Sequence, residues 1–114
     1  MIHYEEHALD GDVWVIKVEG ELDSYTSSDF FDCLEVEIEK GRDRIIVDCS
    51  SLEHVSSAGI AALIRAHAKM KRRGGDVKLA ALKGKVAEVL RVTHLDRILG
   101  IYPDVRTAHQ AFDA

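Results

Sequence analysis

Asp48-Cys49-Ser50-Ser51-Leu52-Glu53-His54-Val55-Ser56-Ser57-Ala58-Gly59-Ile60 is the stretch over which the chain changes its period from sheet to helix. Upstream, Arg44-Ile45-Ile46-Val47 is a short run of β-branched apolar residues, which suits a strand buried on both faces. Downstream, Ile60, Leu63, Ile64, His67 and Met70 fall at i, i+3, i+4, i+7 and i+10, so they line one face of a helix running to about Arg73. The join is read as a polar turn that ends in Ser56, Ser57, Ala58 and Gly59. A serine just before the first apolar-periodic residue is a natural N-cap, because its hydroxyl accepts a hydrogen bond from an otherwise unpaired backbone N–H. Gly59 removes side-chain bulk from the first turn. The expected result is a small, exposed hydroxyl at the positive end of a helix dipole.

Working outward, residues 2–8 and 13–19 read as two strands around Asp10-Gly11-Asp12, a hairpin turn signal. The second, Val13-Trp14-Val15-Ile16-Lys17-Val18, is nearly continuous in apolar residues and belongs inside the sheet, with Trp14 as a packing residue. Gly20-Glu21-Leu22-Asp23 ends that strand. Ser24-Tyr25-Thr26-Ser27 offers N-cap candidates before Phe30, Phe31, Leu34 and Ile38 supply a helical face closed by Gly41. Gly74-Gly75 ends the next helix. Val77-Lys78-Leu79-Ala80 follows as a strand, and Val86, Val89, Leu90 and Thr93 mark a third helix. Leu99-Gly100-Ile101-Tyr102 reads as a short edge strand, and Asp104, after Pro103, caps a last helix through Ala108, Ala111 and Phe112. This order predicts an α/β fold in one domain, 1–114, with a mixed sheet of four to five strands and about four packed helices. In such sheets functional groups collect at the carboxyl ends of parallel strands, here the loops Gly20 to Thr26 and Asp48 to Gly59.

Composition narrows the function. The 114 residues are 46% apolar with one proline, enough for one core that buries roughly two-thirds of the unfolded surface. No apolar run nears the roughly 20 residues of a membrane span, and Met1-Ile2-His3-Tyr4-Glu5-Glu6 lacks a signal peptide's basic and apolar regions, so a cytoplasmic protein is expected. A net charge of −5 argues against nonspecific nucleic-acid binding, which needs a basic stripe. Lys69, Lys71, Arg72 and Arg73 sit at a predicted helix C-terminus, where cations complement the dipole. Cys33 and Cys49 lack CxxC spacing and read as reduced, largely buried thiols. His3 and His7 are four apart, a chelating distance on a helix, but on a strand they lie ~13 Å apart. The other histidines are scattered, and no metal site or cofactor is assigned.

Gly20-Glu21-Leu22-Asp23 with Thr26, Val47-Asp48-Cys49-Ser50, Val55-Ser56-Ser57-Ala58-Gly59-Ile60, and Leu95-Asp96-Arg97-Ile98 with Ile101-Tyr102 together resemble a STAS domain, in order and at the expected intervals. Within that superfamily the chain is most similar to the bacterial anti-sigma factor antagonists. The resemblance implies a partner switch. Such proteins bind an anti-sigma factor that is also a serine kinase, which frees a sigma factor. The kinase phosphorylates a serine at the start of the second helix, and a serine phosphatase resets it. Matching Gly59 and Ile60 places that serine at Ser57, and Asp23 matches an acidic residue that lies near it. The chain departs from the family at Ser56, where aspartate is common, and at Ala58, where Ser or Thr is; Ser56 thereby becomes a second candidate acceptor. The partner surface implied comprises Asp23, Ser56, Ser57 and Gly59, with Arg65 and Lys69 on the second helix's exposed side.

Simpler readings stand beside these. Ser57 read alone is a helix cap, and Asp23 a turn or capping residue. Ser57, His54 and Asp23 or Asp48 also suggest a nucleophile set, but Val55-Ser56-Ser57-Ala58-Gly59 lacks the glycine two before the serine that a hydrolase elbow needs; the protein is read as no enzyme. A STAS-like subunit of a membrane lipid-transport complex, or a signalling scaffold without a phosphorylation switch, is the rival binding role.

Overall fold

The computed structural model describes residues 2–112, with side chains from Tyr4 onward. Strands β1 (Ile2–Leu9) and β2 (Val13–Leu22) form the hairpin, and Gly11 and Asp12 take positive φ in its turn. There follow α1 (Ser27–Glu39), β3 (Arg44–Val55), α2 (Ser57–Arg72), β4 (Asp76–Ala80) and α3 (Gly84–Val92). A 3₁₀ turn (Leu95–Arg97), β5 (Gly100–Tyr102) and α4 (Val105–Phe112) complete the described chain. The sheet order is β1-β2-β3-β4-β5, with β1 antiparallel to β2 and every later pair parallel. The mixed sheet of the sequence reading therefore has five strands, with four helices packed on it.

The strand order explains the layers. Each parallel crossover steps the same way across the sheet, and right-handed crossovers that step one way place their helices on one face. Phe30, Leu34 and Ile38 of α1, Ala62, Leu63, Ala66 and Met70 of α2, and Val86 and Leu90 of α3 accordingly share one core with Ile16, Val18, Ile45, Val47, Val77 and Leu79 of the sheet. The predicted α2 face is centred on Leu63 and Met70, while Ile60 and Ile64 sit at its margins and two alanines make the close approach. Only α4 lies on the other face, over Val13, Val15, Ile46 and Ala80. His109 Nε2 lies 2.7 Å from the Asp10 carbonyl in the hairpin turn. Cys49 is buried and Cys33 half-buried, both free thiols, and burial pushes the Cys49 thiol up to about 12.

Two boundaries differ from the sequence reading. β2 continues to Leu22, and β3 runs through Asp48 to Val55 where a turn is predicted. The β2–β3 ladder shifts register between Lys17 and Glu19 and again between Gly20 and Glu21. Each irregularity gives β3 one extra residue and turns its side chains over, as a bulge does. Its buried positions past the end of β4 are consequently Cys49, Leu52 and Val55, a spacing of three that imitates neither a strand nor a helix.

Candidate functional site

Leu22 pairs with Val55 at the end of the β2–β3 ladder, and the Ser56 backbone N–H donates to the Leu22 carbonyl at 2.8 Å. Two polar segments, one opening at Asp23 and one at Ser56, thus leave neighbouring parallel strands at the carboxyl edge of the sheet. Ser56 has extended backbone, and its Oγ accepts from the Gly59 N–H at 3.3 Å. The cap is therefore Ser56, which corrects the reading of Ser57 as the capping residue. Ser57 is the first residue of α2, exposed, and its hydroxyl has no hydrogen-bond partner among the described residues. Gly59 is buried in that first turn. A Cβ there would lie 2.9 Å from Leu22 Cγ and from Val55 Cγ2, and closer still to the Leu22 carbonyl oxygen. The glycine is needed for close approach, since it lets the helix start sit directly on the strand ends.

Asp23 organises the facing turn. Its Oδ1 accepts from the Tyr25 N–H at 2.8 Å and the Thr26 N–H at 3.1 Å, the side-chain turn that aspartate forms readily. The bond from Tyr25, then those from Thr26, hold the Asp23 carboxyl below its ordinary 3.8. Thr26 is buried; its hydroxyl donates to the Glu21 carbonyl at 2.7 Å and accepts from the Asp23 N–H at 2.9 Å. The Ser27 N–H donates to the Asp23 carbonyl at 2.9 Å, which continues the spiral of α1 back by one turn.

A ladder of side chains fixes α1 against α2. The Arg65 guanidinium lies 4.2 Å over the Phe31 ring, Lys69 pairs with Glu35, and Arg73 Nη1 lies 3.4 Å from Glu39 Oε1. Each ion pair joins residues 34 apart, as does the Phe31–Arg65 stack, and the three rungs step by four. The helices are therefore parallel, with both N-termini at the site. Two further steps up the ladder bring Ser27 level with Ala61 and Asp23 level with Ser57. The structure thus gathers Asp23, Ser56, Ser57 and Gly59 at one end. Arg65 and Lys69 are set apart, roughly 12 and 18 Å along the α2 axis from Ser57, and Lys69 is engaged by Glu35.

The nucleophile set is not assembled. Asp48 lies seven residues before the end of β3, roughly 20 Å along the strand, and its Oδ1 accepts from the Ser50 N–H at 3.0 Å. His54 is exposed near the end of β3 and makes no hydrogen bond to Ser57 among the described residues. The His3 side chain lies outside the described residues. Among the described residues no three His, Cys, Asp or Glu side chains converge in a metal-binding group, and no helix is long and apolar enough to cross a membrane. The sequence reading missed Tyr25, whose side chain is 88% exposed beside Asp23. Its signal was a lone aromatic in the otherwise small and polar run Asp23-Ser24-Tyr25-Thr26-Ser27-Ser28-Asp29.

A five-stranded mixed sheet with three parallel-crossover helices on one face, and a serine at the start of the second helix, defines a domain of the STAS type. The chain belongs to the STAS domain family, which it matches over residues 6–108. It is 29% identical over 70 residues to BtrV of Bordetella bronchiseptica, a protein named as an anti-sigma factor antagonist; the match covers 61% of this chain and 58% of that protein, less than two-thirds of the relative's length. The crystal structure of TM1081 from Thermotoga maritima, described as an anti-sigma factor antagonist, superposes with a TM-score of 0.91 at 25% identity, covering 97% of this chain and 95% of that one. The phosphorylated form of SpoIIAA, a Bacillus cell fate determinant, shares the fold at a TM-score of 0.71 and 15% identity, covering 96% and 99% of the two chains.

Proposed function

We propose that this STAS domain is an anti-sigma factor antagonist of the cytoplasm, itself not an enzyme. It binds an anti-sigma factor serine kinase and is released by phosphorylation at Ser57; a serine phosphatase restores the binding form. The observation that carries this reading is the division of labour between two adjacent serines. Ser56 satisfies the helix start, and the Ser57 hydroxyl is left exposed and unpartnered. The names of BtrV and TM1081 support the partner class, and the modified form of SpoIIAA supports the kind of switch.

The physics favours Ser57 over Ser56 as acceptor. A phosphate there adds about −1.5 to −2 charges at a helix N-terminus, where the backbone dipole and free N–H groups tolerate an anion. The fold keeps its cap. Modification of Ser56 would instead displace the hydroxyl that accepts from Gly59. A dianion at Ser57, level with the ionised Asp23, must be stripped of water if a partner packs over both, and that desolvation opposes binding. A loss of about 1.4 kcal/mol is already tenfold in affinity. In this reading Asp23, Ser56, Ser57 and Gly59 form the switch end of the partner surface, and Arg65 and Lys69 border its lower part.

The test is a pull-down from lysate of the source cell with wild type and Ser57→Asp, the retained proteins being identified by mass spectrometry. Retention of a kinase-like anti-sigma factor by wild type and its loss with Ser57→Asp is the expected outcome. Equal retention of membrane-transport subunits by both would replace the switch with the lipid-transport or scaffold role.

A further inference from the structure

Strand β3 outruns its neighbour β4. The two pair only from Arg44–Asp76 to Asp48–Ala80, whereas β2 follows β3 as far as Val55. The chain leaves β4 at Ala81, which takes a φ of 63° and gives its N–H to the Tyr102 carbonyl of β5 at 3.1 Å. It thus turns away from β3. On the side that β4 vacates, Ser50 to Val55 have no backbone partner among the described residues. The Ser50 N–H is taken by Asp48 Oδ1, so the open edge begins at Ser51.

Two cavities lie along this edge. The wider, of about 590 Å³, runs between Ser50-Ser51-Leu52-Glu53 and the pair Lys83 and Lys85. The narrower, of about 110 Å³, lies between His54-Val55 and Val86 and Val89. Lys85 borders both, so they form one groove between β3 and the first turns of α3. A groove over a sheet face would be lined by alternate residues of a strand. Here consecutive residues of β3 line it from Ser50 to Val55, so it follows the strand's edge.

The two ends of the groove differ in chemistry. Lys83 and Lys85 are exposed at the wide end, beside the start of α3, whose N–H groups receive no side-chain cap. Lys17, Lys40, Lys69, Lys71 and Lys78 all pair with carboxylates among the described residues, whereas Lys83 and Lys85, the remaining lysines of the chain, do not. Glu53 is the one carboxylate among the lining residues and leaves this end net positive. The narrow end is largely apolar, walled by Val55, Val86 and Val89.

We propose that this groove takes an extended segment of a partner protein, which joins the sheet as a strand along β3 where β4 stops. The segment is acidic where it meets Lys83 and Lys85 and apolar where it meets Val86 and Val89. Main-chain hydrogen bonds to an open strand edge supply affinity, and the flanking side chains select the sequence. Two unpaired lysines and a helix N-terminus select acidic residues by charge complementarity. The inference is independent of the phosphorylation switch, since it uses none of Asp23, Ser56 and Ser57. A segment so bound ends beside Ser56, the residue that follows Val55.

The probes are two fluorescein-labelled peptides, Asp-Glu-Val-Thr-Val and its reverse Val-Thr-Val-Glu-Asp, which suit parallel and antiparallel addition, and the same pair with lysine in place of both acidic residues. Each is titrated with the full chain and followed by fluorescence anisotropy. One acidic peptide is expected to bind wild type about tenfold or more tightly than its lysine counterpart. With Lys83→Glu and Lys85→Glu together that preference reverses, while the melting temperature stays that of wild type because both side chains are exposed. Bound peptide also slows hydrogen exchange of the backbone between Ser51 and Val55, which attraction to the lysines alone would not do. Failure of both acidic peptides to bind overturns the proposal. So does binding that leaves that exchange unchanged, or binding that the double variant does not alter.

Discussion

Asp23 and Glu37 stand at opposite ends of α1, and the fold treats their charges in opposite ways. Asp23 is bonded only within its own turn, where backbone N–H groups, that of Tyr25 foremost, favour its ionised form. Glu37 is 3% exposed and belongs to the packing between helix and sheet. It pairs with Arg42, whose guanidinium lies 3.4 Å over the Trp14 ring and whose Nη1 reaches Glu6 Oε2 at 3.5 Å; Lys40 Nζ lies 3.7 Å from Glu37 Oε1. Burial, and then the neighbouring Glu6, push the Glu37 carboxyl above its ordinary 4.5. The contrast teaches where a charge can be changed safely. At the Glu37 end, the carboxyl is buried against Arg42 and Lys40, so removing one of its partners disturbs the packing. At the Asp23 end, the carboxylate is held by backbone N–H groups of its own turn and faces solvent, outside the packed core.

The largest effect that would break this contrast is on stability. Arg42→Ala leaves Glu37 buried without its main partner and is expected to cost about 3 kcal/mol in denaturant titrations. Ser57→Ala and Ser57→Asp should stay within about 0.5 kcal/mol of wild type. Equal losses at both ends would show that the Ser57 end is as structural as the other. Next in size, Gly59→Ala is expected to cost about 2 kcal/mol, because its Cβ must displace Leu22 and Val55. That outcome sharpens the comparison: the exposed serine is free, but the turn that carries it is tightly seated.

The order of elements was legible because each has a clean period or a turn residue at its ends. The apolar runs at Val13–Val18 and Arg44–Val47 and the helical spacing from Ile60 to Met70 suffice for a mixed sheet with helices packed on it. The length of β3 was not legible. Two register shifts space its buried residues three apart, so Cys49, Leu52 and Val55 look like a turn. The placing of Asp23, Ser57 and Gly59 at one edge of the sheet was legible because strand ends and a helix start carry local signals. Which serine caps α2 depends on a hydroxyl orientation that no pattern encodes, and the pairing of Lys69 with Glu35 joins residues 34 apart on two helices. Tyr25 escaped notice because exposure, the property that sets it apart, exists only in the folded chain.

A smaller prediction separates the two serines. Ser56→Ala removes the oxygen that accepts from the Gly59 N–H and is expected to cost about 1 kcal/mol, the usual worth of an N-cap. Ser57→Ala removes no hydrogen bond among the described residues and should leave the melting temperature unchanged. In a phosphorylation assay the order reverses: Ser56→Ala remains a substrate, whereas Ser57→Ala does not. Incorporation of phosphate into Ser57→Ala at the wild-type rate would move the acceptor to Ser56 and undo the division of labour.

The smallest effects, and the most direct test of the contrast, are in the pH dependence of stability. Glu37 has a raised folded pKa, so its contribution is fully present below 4.5 and is lost as pH rises through the folded value. The stability of Glu37→Gln relative to wild type should therefore climb from acid toward neutral pH. Asp23 has a lowered folded pKa, so its contribution is present above 3.8 and is lost as pH falls below it. Asp23→Asn should consequently be less stable than wild type at neutral pH and converge on it in acid. Paired melting curves of the two variants, each set against wild type from pH 3 to pH 7, should slope in opposite directions. The Asp23→Asn curve should be the shallower because that carboxyl faces solvent. Slopes of the same sign would mean that both carboxyls sit in like environments, and the case for one end of α1 as a surface built to change charge would fail with them.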